Sequence, residues 1–100
     1  MLNIESVNHV GIRVGDKARS VSFYADLGFE LLQDAGFDKG HPVIMKHPSG
    51  VVVNLLGPAN ASDGTNILMD VEEKHPGYTH ITLTVSIVGC SERFYENEGN

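Results

Sequence analysis

The sequence is poor in cysteine and in basic residues, and each shortage excludes a class of protein. Cys90 is the only cysteine in 100 residues, so no internal disulfide can form and a reducing compartment is expected. Lys and Arg number 7 against 13 Asp and Glu, giving a formal net charge of −6, and the basic residues are scattered. Binding to a phosphate backbone needs a concentrated basic surface, so nucleic acid is not an expected partner.

Long hydrophobic runs are also lacking. The longest uninterrupted hydrophobic runs, such as 51–53 and 67–69, have three residues, whereas a membrane-spanning helix needs roughly 20. The opening residues 1–5 have neither the basic start nor the apolar stretch of a secretory signal. With 41% hydrophobic and 20% charged residues, the composition is that of an ordinary globular domain. We therefore expect a cytoplasmic protein with no membrane partner.

An internal repeat is the most informative feature that is present. His9 and His80 are 71 positions apart, and each precedes an alternating apolar pattern. The same offset, without a gap, gives eight pairs of identical or similar residues: His9/His80, Val10/Ile81, Ile12/Leu83, Val14/Val85, Ser20/Ser91, Phe23/Phe94, Tyr24/Tyr95 and Gly28/Gly99. A common strand-then-helix pattern would account for the aliphatic pairs but not for the histidine, Phe-Tyr and glycine pairs together. A duplication is predicted.

Each copy is predicted to be a strand followed by a helix. In the first copy the period-2 pattern of residues 10–14 indicates a strand with one buried face, and Asp16 is a suitable N-cap for a helix that ends at Gly28. In the second copy residues 79–85 form the strand, Ser86 caps the helix, and Gly99 ends it. The repeated Phe-Tyr pair of each helix is expected in the core, and Cys90 is expected to be an inert apolar residue.

Three more strands are predicted after the first helix, at 29–35, 43–47 and 51–56. A turn at 36–40 and a tight hairpin at Pro48-Ser49-Gly50 connect them. Residues 57–66 have the composition of a linker, 67–71 form a short extended segment, and 72–77 form a loop. His41, His47 and His75 each lie beside proline and are read as loop residues.

The predicted fold is α+β, with paired β-α-β-β-β modules forming a curved mixed sheet that makes a cup. Residues 1–57 are the first module, 58–78 the linker, and 79–100 the strand and helix that begin the second module. A complete second module would need three more strands, roughly 30 residues beyond Asn100. Because a lone strand has unpaired edges, we expect either a truncated chain or a partner chain that completes the sheet.

Three stretches carry a resemblance to a known family. They are spread along most of the chain, in the order of the family: residues 9–16 with 20–24 and 27–29, then 47–56, and finally 76–81. Paired modules of this kind, each opening with a histidine-bearing strand, resemble the vicinal-oxygen-chelate superfamily, which includes glyoxalase I, extradiol dioxygenases, and bleomycin- and fosfomycin-resistance proteins. The resemblance marks a scaffold rather than one activity.

The resemblance implies a divalent metal held inside the cup. In that family the ligands commonly come from the first and last strands of each module. His9 and His80 match the two first-strand ligands, and Asn54 stands where the last strand usually has glutamate. The counterpart of Asn54 would lie at about position 125, past the end of the sequence. The implied metal is Zn, Ni, Fe, Mn or Co, since neutral imidazole suits all of them.

Each of these residues also has an ordinary structural interpretation. A strand histidine is often structural, although His9 and His80 share equivalent positions opposite the apolar faces of their strands. The amide of Asn54 is a poor ligand for a transition metal and suits a substrate carbonyl or hydroxyl instead. Arg13 shares the face of His9 and could clamp a carboxylate or phosphate, or it could be solvated or paired with an acidic neighbour.

Three functions remain open on the sequence. The first is a glyoxalase-like metal-dependent enzyme, of lyase, isomerase or dioxygenase type, acting on a small oxygen-bearing substrate. The second is a resistance-type protein that binds a small molecule without turnover, which Asn54 favours. The third is an inactive truncated product. A homodimer is expected, because family members commonly pair and the open sheet favours pairing.

Overall fold

A computed structural model of the protein describes residues 1–60 and 64–86. The chain divides into two compact units, Met1–Thr65 and Asn66–Asn100. The regular elements of the described residues are β1 (Val10–Arg13), α1 (Lys17–Asp26), β2 (Glu30–Asp34), a 3-10 turn (Phe37–Lys39), β3 (Val43–Lys46) and β4 (Val52–Leu56). No helix among the described residues is long and apolar enough to cross a membrane.

The first unit is built on one open mixed sheet. Its strand order is β1-β4-β3-β2, with β1 parallel to β4 and the other two pairs antiparallel. The helix α1 connects β1 to β2, and the remaining strands follow as a meander. This is the β-α-β-β-β order that the sequence predicts, and the α+β fold class is confirmed.

The helix α1 begins and ends where its capping residues predict. The side chain of Asp16 accepts a hydrogen bond of 3.0 Å from the backbone N–H of Arg19, which satisfies one of the unpaired donors of the first turn. After the helix, Gly28 has φ +98°, a left-handed conformation that favours glycine. The Gly28 N–H donates to the carbonyl of Ala25 at 2.9 Å.

Only one residue of the first Phe-Tyr pair packs against the core. Tyr24 is partly buried and lies edge-on to Phe29, with ring centroids 5.2 Å apart. Phe23 is 58% exposed, so its prediction as a core residue is wrong. Consecutive helical residues point about 100° apart. Because Val21, Tyr24 and Leu27 already occupy the face toward the sheet, Phe23 faces outward.

The core lies between α1 and one face of the sheet. Val43, Met45, Val53 and Leu55 alternate along β3 and β4 and are at most 1% exposed. The rings of Phe29 and Phe37 complete the buried cluster. Burying such side chains contributes roughly 1.5–3 kcal/mol each, so this cluster is the main source of stability of the first unit.

His47 is more than a loop residue. It closes the hairpin between β3 and β4, where its N–H donates to the carbonyl of Val51 at 2.8 Å. Its ring Nδ1 accepts from the Ser49 N–H at 3.0 Å, and its ring centroid lies 5.3 Å from that of Phe29. His41 and His75 are exposed, as expected of loop residues.

In the second unit the prediction of an extended segment at 67–71 is wrong, because these residues form a turn. The side-chain Oδ1 of Asn66 accepts from the Leu68 N–H at 2.9 Å, and its carbonyl accepts from the Asp70 N–H at 2.7 Å. Asp70 in turn accepts from the Asn66 N–H at 2.9 Å. These side-chain hydrogen bonds compete with an extended backbone.

The strand predicted at 79–85 forms no strand hydrogen bonds in the described residues. By contrast β1 pairs with β4 of its own module, whereas no described strand pairs with residues 79–85. The predicted helix after Ser86, with Cys90, Phe94, Tyr95 and Gly99, lies outside the described residues. The module boundaries at 57 and 78 stay predictions.

Candidate functional site

The sheet of the first unit has a second face that α1 does not cover. The strand register places Gly11, Asn54, Ile44 and Gln33 side by side in one row across all four strands. These residues alternate with the buried ones, so they lie on the face opposite the core. The strand residues around Asn54 on this face are half-buried rather than fully exposed: Ile44, Val52 and Leu56.

His9 directly precedes β1 and is exposed. Continuing the alternation of β1 back by one residue puts His9 on the same face as Gly11, beside Val52 of β4. The Nδ1 of His9 lies 2.7 Å from Oδ1 of Asn8. Because an amide oxygen can only accept, Nδ1 carries the proton, and in the neutral ring the lone pair is then on Nε2. His9 therefore has the protonation pattern of a histidine that ligates through Nε2.

Asn54 lies at the centre of β4 on the same face. Its Oδ1 is buried and has no hydrogen-bond partner, the one buried side-chain atom in that condition among the described residues. Leaving such an oxygen unpaired costs about 1–3 kcal/mol. Asn54 is paired with Gly11 of β1, the strand that His9 directly precedes. A buried oxygen without a partner is a group that a bound ligand or metal would satisfy.

Gly11 is the β1 residue beside Asn54. It pairs with Asn54 in the register of β1 and β4. A Cβ added to Gly11 would come within 3.3 Å of Cδ1 of Leu56, which is a tight contact. A side chain at this position would therefore press against Leu56.

Arg13 shares this face, at the end of β1. Its guanidinium Nη1 donates to the carbonyl oxygen of Pro58 at 3.2 Å. Part of its donor capacity therefore fixes the segment that follows β4. The sequence left two interpretations of Arg13 open. One was a clamp for a substrate anion, and the other was a solvated side chain or one paired with an acidic neighbour. Neither included this hydrogen bond to a backbone carbonyl.

His80 belongs to the second unit and is exposed. Its Nδ1 lies 2.8 Å from Oγ1 of Thr79, the residue before it. This repeats the arrangement at Asn8 and His9, where the preceding side chain also contacts Nδ1. The equivalence of His9 and His80 thus extends from the sequence to the local contact of each ring.

The clearest electrostatic feature of the first unit lies away from this face. Nζ of Lys17 and Oδ2 of Asp34 are 2.7 Å apart, joining the start of α1 to the end of β2. The hydrogen bond to Asp34 raises the pKa of Lys17, and the same bond lowers the pKa of Asp34. Burial raises the pKa of Tyr24 under the helix. These groups stabilise the scaffold rather than the candidate site.

The residues of the first unit fit a metal in part. His9 supplies an imidazole lone pair, and Asn54 supplies an unpartnered buried oxygen. Neither residue that pairs with Asn54, Gly11 or Ile44, is a carboxylate. Across residues 1–60 and 64–86, no three His, Cys, Asp or Glu side chains are grouped to hold a metal ion. An oxygen from a substrate would fit beside these two donors.

The sequence interpretation did not single out Asn8 and Thr79. Both are polar and both precede the histidine of their copy at the same offset of 71 positions. A polar residue before the histidine in both copies was the sequence feature that could have pointed to these two contacts. Gly11 was recognised only as part of the strand, and its place opposite Asn54 needs the register of β1 and β4.

The fold and this face define a small α+β protein with one β-α-β-β-β module and a histidine at its opening strand. The chain matches the family model described as Glyoxalase/Bleomycin resistance protein/Dioxygenase superfamily over residues 6–96. It therefore belongs to this superfamily, the vicinal-oxygen-chelate proteins, and the resemblance seen in the sequence is confirmed. No curated protein and no solved structure matches the chain.

Proposed function

We propose that this protein is a glyoxalase-like, metal-dependent enzyme that acts on a small oxygen-bearing substrate. His9, His80 and Asn54 would hold the divalent metal, which is Zn, Ni, Fe, Mn or Co. The observation that carries the proposal is the buried, unpartnered Oδ1 of Asn54 on the sheet face that α1 does not cover. The assignment of His80 rests on the sequence repeat and on its matching contact with Thr79.

A divalent metal held there would supply Lewis-acid chemistry toward oxygen atoms of the substrate. The residues of this chain supply orientation. Because Asn8 contacts Nδ1 of His9, Nε2 of the neutral ring would be the atom that binds the metal. Asn54 would contribute its unpartnered Oδ1 from between the half-buried Ile44 and Leu56. Arg13, through its remaining N–H groups, would bind an anionic substrate group at the end of β1.

Metal analysis tests the proposal. The protein is loaded in turn with each of the five metals, dialysed, and assayed for bound metal per chain. We expect about one metal per chain, lost in His9→Ala and in His80→Ala, because three-ligand sites depend on each imidazole. Both side chains are exposed, so neither substitution removes core packing.

The matched controls are His41→Ala and His75→Ala, which change other exposed histidines. Both controls should retain the metal, and circular dichroism should show that all four variants keep their secondary structure. A wild-type protein that binds none of the five metals would overturn the proposal. Equal losses from the controls and from His9→Ala would overturn it as well.

A second function has its own support. Isomerase or lyase chemistry needs a carboxylate base, and the β4 position that usually carries glutamate in the family carries Asn54 here. An amide that orients a substrate carbonyl or hydroxyl suits a resistance-type protein that binds a small molecule without turnover. Asn54→Glu separates the two functions. It should tighten metal binding if the site is a metal centre, and leave metal binding absent if the face holds only an organic ligand.

We also propose a homodimer in a cytoplasmic setting. The two outer strands of the sheet, β1 and β2, each have one edge that pairs with no other strand among the described residues. Such edges favour association with a second copy. Sedimentation equilibrium should give twice the chain mass, and a mass of 10.8 kDa at all concentrations would contradict the dimer.

A further inference from the structure

We propose that Asn8 and Thr79 are positioning residues that keep the Nδ1–H tautomer of His9 and His80, so that Nε2 is the ligating atom of both histidines. The inference rests on the proposed metal site for its purpose, but it concerns the hydrogen bonds of these two rings. It goes beyond that site because it assigns a role to two residues that touch neither metal nor substrate.

The first observation is the chemistry of the Asn8 contact. The Oδ1 atom of Asn8 lies 2.7 Å from Nδ1 of His9. An amide oxygen accepts and cannot donate, so this hydrogen bond exists only when Nδ1 carries the proton. A free neutral imidazole prefers the proton on Nε2, which would block that atom as a ligand. Asn8 therefore opposes the intrinsic preference of the ring.

The second observation is that the arrangement occurs in both copies of the repeat. Oγ1 of Thr79 lies 2.8 Å from Nδ1 of His80. A hydroxyl can donate or accept, so Thr79 is compatible with the same tautomer. Asn8 and Thr79 are unlike residues at equivalent positions, yet each reaches the same ring atom. Their shared property is an oxygen that can accept from Nδ1–H.

The third observation is a contrast with His47 in the same unit. Nδ1 of His47 accepts from the backbone N–H of Ser49 at 3.0 Å, which requires the proton on Nε2. Nε2 of His47 also lies against Gly28, where an added Cβ would be only 3.2 Å away. His47 thus has the opposite tautomer to His9, as suits a structural histidine, and its Nδ1 also lies 2.7 Å from Oγ of Ser49. Because a hydroxyl contact is compatible with either tautomer, the contrast is drawn for His9, and the experiment below decides it for His80.

A hydrogen bond to the outer ring nitrogen is how proteins orient metal-ligating histidines and raise their basicity. Loss of such a partner typically weakens metal binding by about 10-fold to 100-fold. Because Asn8 and Thr79 are adjacent in sequence to the histidines and exposed, we expect the lower end of that range.

The test is ¹⁵N NMR of the metal-free protein with labelled histidine, at a pH where the rings are neutral. Long-range ¹H–¹⁵N spectra distinguish the two tautomers of each ring. We expect His9 and His80 to show Nδ1–H and His47 to show Nε2–H. Asn8→Ala should move His9 toward Nε2–H, whereas Asn8→Asp should preserve Nδ1–H, because a carboxylate accepts the same bond. Thr79→Val and Thr79→Ser form the equivalent pair for His80.

Metal affinity is measured on the same variants, with Asn3→Ala and Thr82→Ala as controls on other exposed polar residues. We expect about a 10-fold loss for Asn8→Ala and Thr79→Val, and none for Asn8→Asp, Thr79→Ser or the controls. A wild-type His9 that is mainly Nε2–H would overturn the inference, as would unchanged tautomer and affinity in Asn8→Ala. If the wild type binds no metal while Asn8→Ala changes the tautomer, the proposed function fails and the hydrogen bond stands.

Discussion

Residues 10–14 and 81–85 have the same alternating apolar pattern, yet they have different structures. In the first segment Val10, Ile12 and Val14 are half-buried, and β1 pairs with β4 along its length. In the second segment Ile81, Leu83 and Val85 are 40%, 38% and 57% exposed, and no strand is formed. The comparison teaches that a period-2 pattern makes a strand possible, while a hydrogen-bonded neighbour makes it form.

The largest expected effect comes from removing the side chain against which β1 packs. Leu55 pairs with Ile12 and is fully buried. Leu55→Ala should lower the free energy of unfolding by about 2–5 kcal/mol, because it leaves a cavity in the core. Urea denaturation followed by circular dichroism measures this. A loss below about 1 kcal/mol would show that β4 does not hold β1 as described.

A smaller but still large effect is expected where β4 ends. A Cβ added to buried Gly57 would overlap Cζ of Phe37 and lie 2.5 Å from its Cε1 and Cε2 atoms. Gly57→Ala should therefore cost about 1–3 kcal/mol through overpacking. Gly15→Ala is the control, since no atom lies within 4 Å of its added Cβ. Equal denaturation midpoints for the two variants would contradict the close approach of Phe37.

The comparison itself is tested by one pair of substitutions. Ile12 and Leu83 are equivalent in the repeat, but Ile12 is half-buried against the core and Leu83 belongs to the unpaired segment. Ile12→Ala should cost about 1–2 kcal/mol, a part of the value for a fully buried site. Leu83→Ala should change stability by less than about 0.5 kcal/mol. Equal losses at the two sites in urea denaturation would mean that residues 81–85 are packed in solution.

The smallest effect concerns the ion pair that joins α1 to β2. The pKa of Asp34 is lowered by its hydrogen bond to Lys17, so the stabilisation is present above the ordinary value of 3.8 and is lost as pH falls through the folded value. The pKa of Lys17 is raised, so its part is present below 10.5 and is lost as pH rises through its folded value. In Lys17→Gln, NMR titration should show the Asp34 carboxyl moving up toward 3.8. An unchanged Asp34 titration would refute the pairing.

Much of the first module could be predicted from its sequence. Asp16 and Gly28 mark the helix because capping and left-handed turns depend on local chemistry, and β2, β3 and β4 each lie within the predicted ranges. Phe23 was wrongly placed in the core because its exposure depends on which face α1 turns toward the sheet. Residues 67–71 were wrongly predicted to be extended because the side chain of Asn66 hydrogen-bonds to the backbone and forms a turn. The irregular register between Leu31 and Gln33, which leaves both Leu31 and Leu32 more than half exposed, has no signal in the sequence.

Less of the candidate site could be predicted. The repeat identified His9 and His80, because equivalent positions in a duplicated chain are visible in sequence, and the family resemblance pointed to Asn54. The unpaired Oδ1 of Asn54, the contact of Arg13 with Pro58, and the contact of Asn8 with His9 depend on side-chain geometry between strands or neighbours. Periodicity carries no information on these contacts.

Paramagnetic broadening is the most direct test of the central claim, that His9 and Asn54 of the first module face one metal. Mn²⁺ is titrated into protein labelled with ¹⁵N. The account predicts that the His9 ring and the Asn54 side-chain amide broaden together at the lowest Mn²⁺ concentration, well before His41 and His47. Broadening of His41 or His75 first, with Asn54 unaffected, would contradict it.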